Sequence, residues 1–328
     1  MESFKSKYSE SHIPLDKQQK LQYEKLKQLV LNFNENLKGD VIKSKDKYNQ
    51  KIRNVIADKT GLSLNYKAKY FDLKLNDNVE KTAIKISIED YVPLSLINLF
   101  EKFDDNHIEM LLHYNKMKSS VKEIEYQIDK FNSFSRYVDE TIKIEDLLQT
   151  LNYLKKLIIE VEDSGLIEAL KSLGPDSLGA YFVHENRVEL YWLSIGLCQI
   201  IHNFSVEDFT LVVLTHELVH GYSHIGYDKD GNNWDTKSFY NSDLKIVEGF
   251  AQLYTEMICE DFFEQAIDSF NCLLSNQSIE YTDYKNWFSE RESYKYEKAR
   301  RILLKSRQKQ IINYDEFIWN LNKIKEEF

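Results

Sequence analysis

Apolar residues in this chain recur mostly at the spacing of a helix face. Between residues 15 and 57, Leu26, Leu29, Val30, Phe33 and Leu37 repeat among many charges, which predicts a helical hairpin broken at Gly39. Between 94 and 170 the stripe Leu111, Tyr114, Met117, Val121, Ile124 and Ile128 keeps the same period, and packing into a core explains it. Two segments switch to a period of two. KYFDLKL and TAIKISI flank Asn76, Asp77 and Asn78, predicting a β-hairpin near 69–88. AYFVHENRVELYW predicts a second, with strands at 181–183 and 188–192 around Glu185 and Asn186. The densest group of chain breakers, Gly165, Gly174, Pro175, Asp176 and Gly179, marks a boundary between an N-terminal helical region, 1–164, and a second domain, 165–328. With only three prolines and ten glycines in 328 residues, long helices should dominate, so the expected fold class is α+β, mainly helical.

The same pattern then points to chemistry. A helix should start at Ser205, which can cap it, with Glu207 and Asp208 placing negative charge at its positive end. The run FTLVVL that follows is apolar on nearly every side. Such a helix is hidden, and His216, Glu217 and His220 of the run HELVH would be costly there unless something binds them. Residues i and i+4 share a helix face, so the two imidazoles can aim at one point while Glu217 sits about 100° around the axis. Zinc accepts neutral imidazole nitrogens, and a catalytic site leaves one position open. Glu217 is then the general base for a water at that position. Eight histidines and 53 acidic residues in 328 positions give only about 0.03 chance matches to this spacing.

A third ligand is expected from Glu248, in the amphipathic run LKIVEGFAQLYTE. Val247, Gly249 and Phe250 around it leave a carboxylate in need of a cation, and Gly249 would let the two helices approach closely. His224 is the rival ligand, but a rise of about 1.5 Å per residue puts it about 12 Å from His216 along a continuous helix. Its remaining roles are in the second shell or towards substrate. The pattern with a further Gly and His after the motif is not met, because those positions are Ser223 and Gly226.

These residues resemble the gluzincins, zincin peptidases with two His and a Glu as ligands that include thermolysin. The resemblance covers roughly 188–256. It implies a zincin-like core: a sheet edge lining the substrate cleft, here 188–192, an active-site helix carrying His216, Glu217 and His220, and a crossing helix that supplies Glu248. In thermolysin-like members an Asp one turn after the ligand Glu orients the first His, whereas Gln252 stands at that position here. Those enzymes also use a His or Tyr to stabilise the oxyanion, for which Tyr222, His224, Tyr240 and Tyr254 are the candidates. The implied activity is that of a zinc metallopeptidase hydrolysing a peptide or protein substrate.

Composition narrows the partners. A formal net charge of −10 argues against nucleic acid, whose phosphates need clustered Lys and Arg. The basic run 295–309 is interrupted by Glu297, Ile302, Leu303 and Leu304 and reads as a solvated helix face. No stretch has the roughly 18 uncharged apolar residues of a membrane span, and the start has no signal-peptide core, so a cytoplasmic protein without a membrane partner is expected. Cys198, Cys259 and Cys272 contain no CxxC pair and suggest inert thiols rather than disulfides. Asp228, Asp230, Asn232, Asn233 and Asp235 hint at calcium, but Gly231 is misplaced for an EF-hand loop. A turn-rich loop at the rim of the cleft is the better reading. Two other functions compete: a regulatory or protein-recognition module on a zincin fold with little or no protease activity, which the intact Glu217 speaks against, and hydrolysis of a non-peptide amide.

Overall fold

The computed structural model describes residues 15–65, 83–134, 141–171, 177–275, 277–289 and 292–328. Helix α1 (Lys17–Phe33) opens on a reciprocal cap, in which Asp16 accepts from the Gln19 amide at 2.8 Å and the Gln19 side chain accepts from the Asp16 amide at 3.0 Å. It stops where Asn34 turns extended and its side-chain oxygen accepts the Asn36 amide at 3.0 Å, a local bond that competes with the helical ladder. Helix α2 (Leu37–Thr60) begins immediately afterwards. The break therefore precedes Gly39, which lies in the first turn of α2. This corrects the expectation from sequence: side-chain capture of the backbone outweighs the freedom of a glycine. Gly61, at φ 71°, ends α2 in the left-handed conformation.

Strand β1 (Lys85–Glu89) falls where the second arm of the hairpin near 69–88 is expected, and the first arm lies outside the described residues. Strands β2 (Gly179–Phe182) and β3 (Arg187–Tyr191) form the second hairpin, with Asn186 at φ 49° in its turn. β1 pairs with β3 in parallel, Ile86 beside Val188 and Ile88 beside Leu190, giving the order β1-β3-β2. The expectation that 188–192 forms a cleft-lining edge is thereby corrected, since among the described residues β1 and β2 are the edges. The reason is legible in β3 itself: Val188, Glu189, Leu190 and Tyr191 are all buried, as befits a strand covered on both faces.

Helices α3 (Leu94–Phe100), α4 (Asp105–Phe134), α5 (Thr141–Asp163) and α6 (Leu166–Lys171) follow β1. α4 and α5 lie side by side, and Leu111, Tyr114, Met117 and Ile128 of the α4 stripe are buried. Helix α7 (Trp192–His202) continues from β3 without a loop. Its run WLSIGLC is buried throughout and so carries no readable period, which hides it from a sequence reading. Then come α8 (Val206–Ile225), α9 (Thr236–Asn241), α10 (Leu244–Phe262), α11 (Ile267–Leu274), α12 (Ile279–Thr282), α13 (Lys295–Lys309) and α14 (Tyr314–Glu326).

Helix accounts for 74% of the structure, beside one small sheet, the mainly helical α+β class that the spacing predicts. One hydrophobic cluster runs from Leu26 in α1 to Ile324 in α14. The sheet draws β1 from one side of residue 164 and β2 and β3 from the other. α8 crosses the middle, packed against α2, α10 and the sheet. No described helix is long and apolar enough to cross a membrane.

The basic run 295–309 is not wholly a solvated face, because Lys298 and Arg307 are buried. Arg307 Nη2 donates to the Gly226 carbonyl and, at 3.3 Å, to that of Asn232, fastening α13 to the loop after α8. In that loop Asp228 accepts from the amides of Asp230 and Asn232 at 2.9 and 2.8 Å and from Gln308 Nε2 at 3.2 Å. Its carboxylate is committed to organising a turn.

Candidate metal centre

Ser205 caps α8 as its sequence predicts, Oγ accepting the Asp208 amide at 3.0 Å with Glu207 and Asp208 in the first turn. From Phe209 to His224 the helix is buried without interruption, so each polar side chain on it needs a partner. Val213, Glu217 and Gly221, spaced by four, face the sheet. A Cβ on Gly179 of β2 would stand 2.7 Å from Val213 Cγ1 and 3.3 Å from Glu217 Cγ, and one on Gly221 would stand 3.3 Å from Tyr181. His216 and His220 face α10 instead, where Glu248 meets them. Their Nε2 atoms are 3.1 Å apart, and Glu248 Oε2 lies 3.2 Å from His216 Nε2 and 3.3 Å from His220 Nε2. All three residues are buried.

In the metal-binding form, with both rings neutral and protonated at Nδ1, three lone pairs converge on one point where a cation would hold them; without a cation, His216 and His220 meet Glu248 through Nε2. Tetrahedral ligands at the zinc distance of about 2.0–2.1 Å stand about 3.3 Å from one another, and cis ligands of an octahedral ion at similar bond lengths about 3.0 Å. The sides of the observed triangle, 3.1, 3.2 and 3.3 Å, lie in that interval. A small divalent ion fits between these atoms. Burial pushes the Glu248 carboxyl up, but His220 and His216 together outweigh it and hold the group below the usual carboxylate range, so Glu248 is an anion poised for a cation. No family model matches the chain, and no curated protein or solved structure matches it. The site stands on its own geometry.

Two neighbours of Glu217 escape a reading by motif. Gly179, legible in sequence only as a chain breaker, faces its side chain, since a Cβ there would stand 3.3 Å from Glu217 Cγ. Tyr191, at the end of β3, is buried, and its phenol is pushed above the ordinary range by that burial and then by Tyr91 and Glu217. Gln252, one turn after Glu248, donates to Gln277 Oε1 at 3.0 Å, so that amide hydrogen is engaged ahead of α12. Tyr222 is fully buried in α8. Burial raises the Tyr254 phenol against the pull of Arg300 and Arg307, which sets it towards α13. The Tyr240 ring stands 6.0 Å from that of His184.

His224 is committed away from the triangle. Its Nδ1 lies 2.9 Å from Tyr181 Oη, its Nε2 lies 3.0 Å from Thr236 Oγ1, and its ring stacks on Phe239 at 4.9 Å. Tyr181 donates to Asn186 Oδ1 at 3.2 Å, so it accepts from His224 Nδ1–H, and Nε2 accepts from Thr236. The imidazole is neutral. Burial, with Arg307 and His184, lowers its pKa from 6.5 to about 4. A group that protonates in the unfolded chain but not in the fold stabilises fully above pH 6.5 and loses that contribution as pH falls to about 4, on the order of 3 kcal/mol in all. In urea titrations with chelator, the stability gap between wild type and His224→Gln should narrow from pH 7 to pH 4.5, and a constant gap would refute this role.

Gly249 is also corrected. It does not bring α8 and α10 together but makes room for Trp287: a Cβ there would stand 2.5 Å from Cζ2 and 2.6 Å from Cη2. The indole is fixed by donating to Tyr314 Oη at 3.1 Å and by contact with Phe250 and Phe317, and so backs the turn that carries Glu248. Gly249→Ala should destabilise by roughly 1–3 kcal/mol through overpacking, less the up to about 1 kcal/mol that Ala gains over Gly in a helix. Chemical denaturation measures the balance, and a more stable variant would show that the indole can move aside.

Proposed function

We propose that this chain is a zinc metallopeptidase, a hydrolase with a zincin-like core that cuts peptide bonds in a peptide or protein substrate. One observation carries the reading. Three buried ligand atoms form a triangle of metal-bond size, and Glu217, adjacent to His216 in the chain, is buried on the neighbouring face of the same helix.

Two neutral imidazoles and one carboxylate leave a divalent ion with a net positive charge and an open position. This donor set suits zinc and ferrous iron. A general base next to a ligand serves hydrolysis and has no part in oxygen activation, which favours zinc. Zinc bound there supplies Lewis acidity to a carbonyl and acidity to a water. Glu217, buried beside His216 on the same helix, would take a proton from the attacking water and return it to the leaving amine. β2, the edge strand whose Gly179 lies against Glu217, takes over the cleft-lining part first assigned to 188–192. Free thiols at Cys198, Cys259 and Cys272 support a cytoplasmic setting, and the net charge of −10 speaks against a nucleic-acid partner.

The test joins metal analysis with N-terminal profiling of a proteome incubated with wild type or Glu217→Gln. One zinc per chain and new N-termini with wild type alone are expected. Stoichiometric iron, or identical products from both proteins, would defeat the reading.

A further inference from the structure

We infer that Gly179 is a positioning residue for Glu217, an inference that rests on the peptidase reading and names a part of its machinery outside the motif. Gly179 has no positive φ, so its backbone conformation does not call for glycine. Space does. A Cβ there would stand 2.7 Å from Val213 Cγ1, 2.9 Å from the Glu189 carbonyl oxygen and 3.3 Å from Glu217 Cγ.

Val213 and Glu217 are four apart on α8, so they bracket Gly179 from the same helix face. On its other side the strand is anchored, with Gly179 paired to Leu190 and Leu178 O accepting the Tyr191 amide at 2.8 Å. β2 therefore cannot retreat without breaking the hairpin. The methylenes of Glu217 lie against a strip of bare main chain, and that contact sets the side chain's course. His216 and His220 lie on another face of α8, towards Glu248 of α10. Gly179 thus governs where the base sits without touching what would hold the metal.

The new Cβ would press Glu217 Cγ at 3.3 Å, which asks it to give by a few tenths of an ångström; since a misplacement of about 1 Å costs roughly 100-fold in rate, Gly179→Ala should lower kcat by roughly 3- to 10-fold, leaving KM and zinc stoichiometry near wild type. Coupling identifies the route. Measured on a peptide that wild type cleaves, Gly179→Ala should cost far less in a Glu217→Gln background, because the group it displaces is already disabled. Equal losses in both backgrounds, zinc lost along with activity, or undiminished kcat would each overturn the inference. Should Gly179→Ala fold poorly, the Val213→Ala/Gly179→Ala pair relieves the tightest side-chain contact and carries the same measurement. If wild type cleaves nothing, the peptidase reading fails on its own. Crystals of zinc-soaked wild type and Gly179→Ala then decide the present point, and an unmoved Glu217 carboxylate overturns it.

Discussion

Glu217→Gln should slow hydrolysis by roughly 100- to 10,000-fold, the range lost when a positioned general base is removed, while zinc remains bound. The substitution keeps the shape of the side chain. It therefore preserves the contact with Gly179, where Glu217 Cγ lies 3.3 Å from the Cβ position, and its place on the sheet side of α8. What it removes is the ability to take a proton. Because His216 and His220 face α10 and its Glu248 rather than the sheet, metal content and unfolding midpoint should stay near wild type. Burst-free steady-state assays on a cleaved peptide, paired with metal analysis of the same samples, give both readings. If zinc is lost together with activity, Glu217 is part of the metal shell and its assignment as base fails.

Glu248→Ala should abolish metal retention, weakening affinity on the order of 1,000-fold or more, since removing one of three protein ligands forfeits a large share of a binding energy of about 10–16 kcal/mol. The loss falls on an anion that His220 and His216 hold ionised against its burial. The variant should also separate metal from fold. Wild-type protein loaded with zinc should melt higher than chelated protein, because a ligand that binds only the native state stabilises it by mass action. Glu248→Ala should melt at one temperature with or without zinc. A zinc-dependent shift that survives the substitution would place the ion elsewhere. In the chelated state the variant need not be less stable than wild type, because it no longer buries a carboxylate among apolar neighbours such as Val247 and Phe250.

Much of the site is local and so was open to a sequence reading. The i, i+4 spacing of His216 and His220 lies within one helix, the Ser205 cap acts within one turn, and the burial of α8 follows from FTLVVL. Glu248 was within reach because a lone carboxylate on the apolar face of a helix is costly without a cation. Other features were hidden because they depend on chain segments far apart. Trp287 faces Gly249 from 38 residues downstream, so the space that this glycine leaves was first credited to helix approach. The buried α7 shows no period at all, and Asn34 ended α1 where composition favoured Gly39.

By itself, then, the sequence determined the helical class and the two histidines on one face with a glutamate beside them, because each is fixed by spacing along a single element, and it marked Glu248 by its apolar surroundings. Tertiary structure decided which strand edges the sheet, that His224 bonds Tyr181 and Thr236 instead of joining the cluster, and that Gly179 lies beneath Glu217. Those outcomes turn on contacts between residues from 12 to more than 100 positions apart in the chain, where periodicity carries no information.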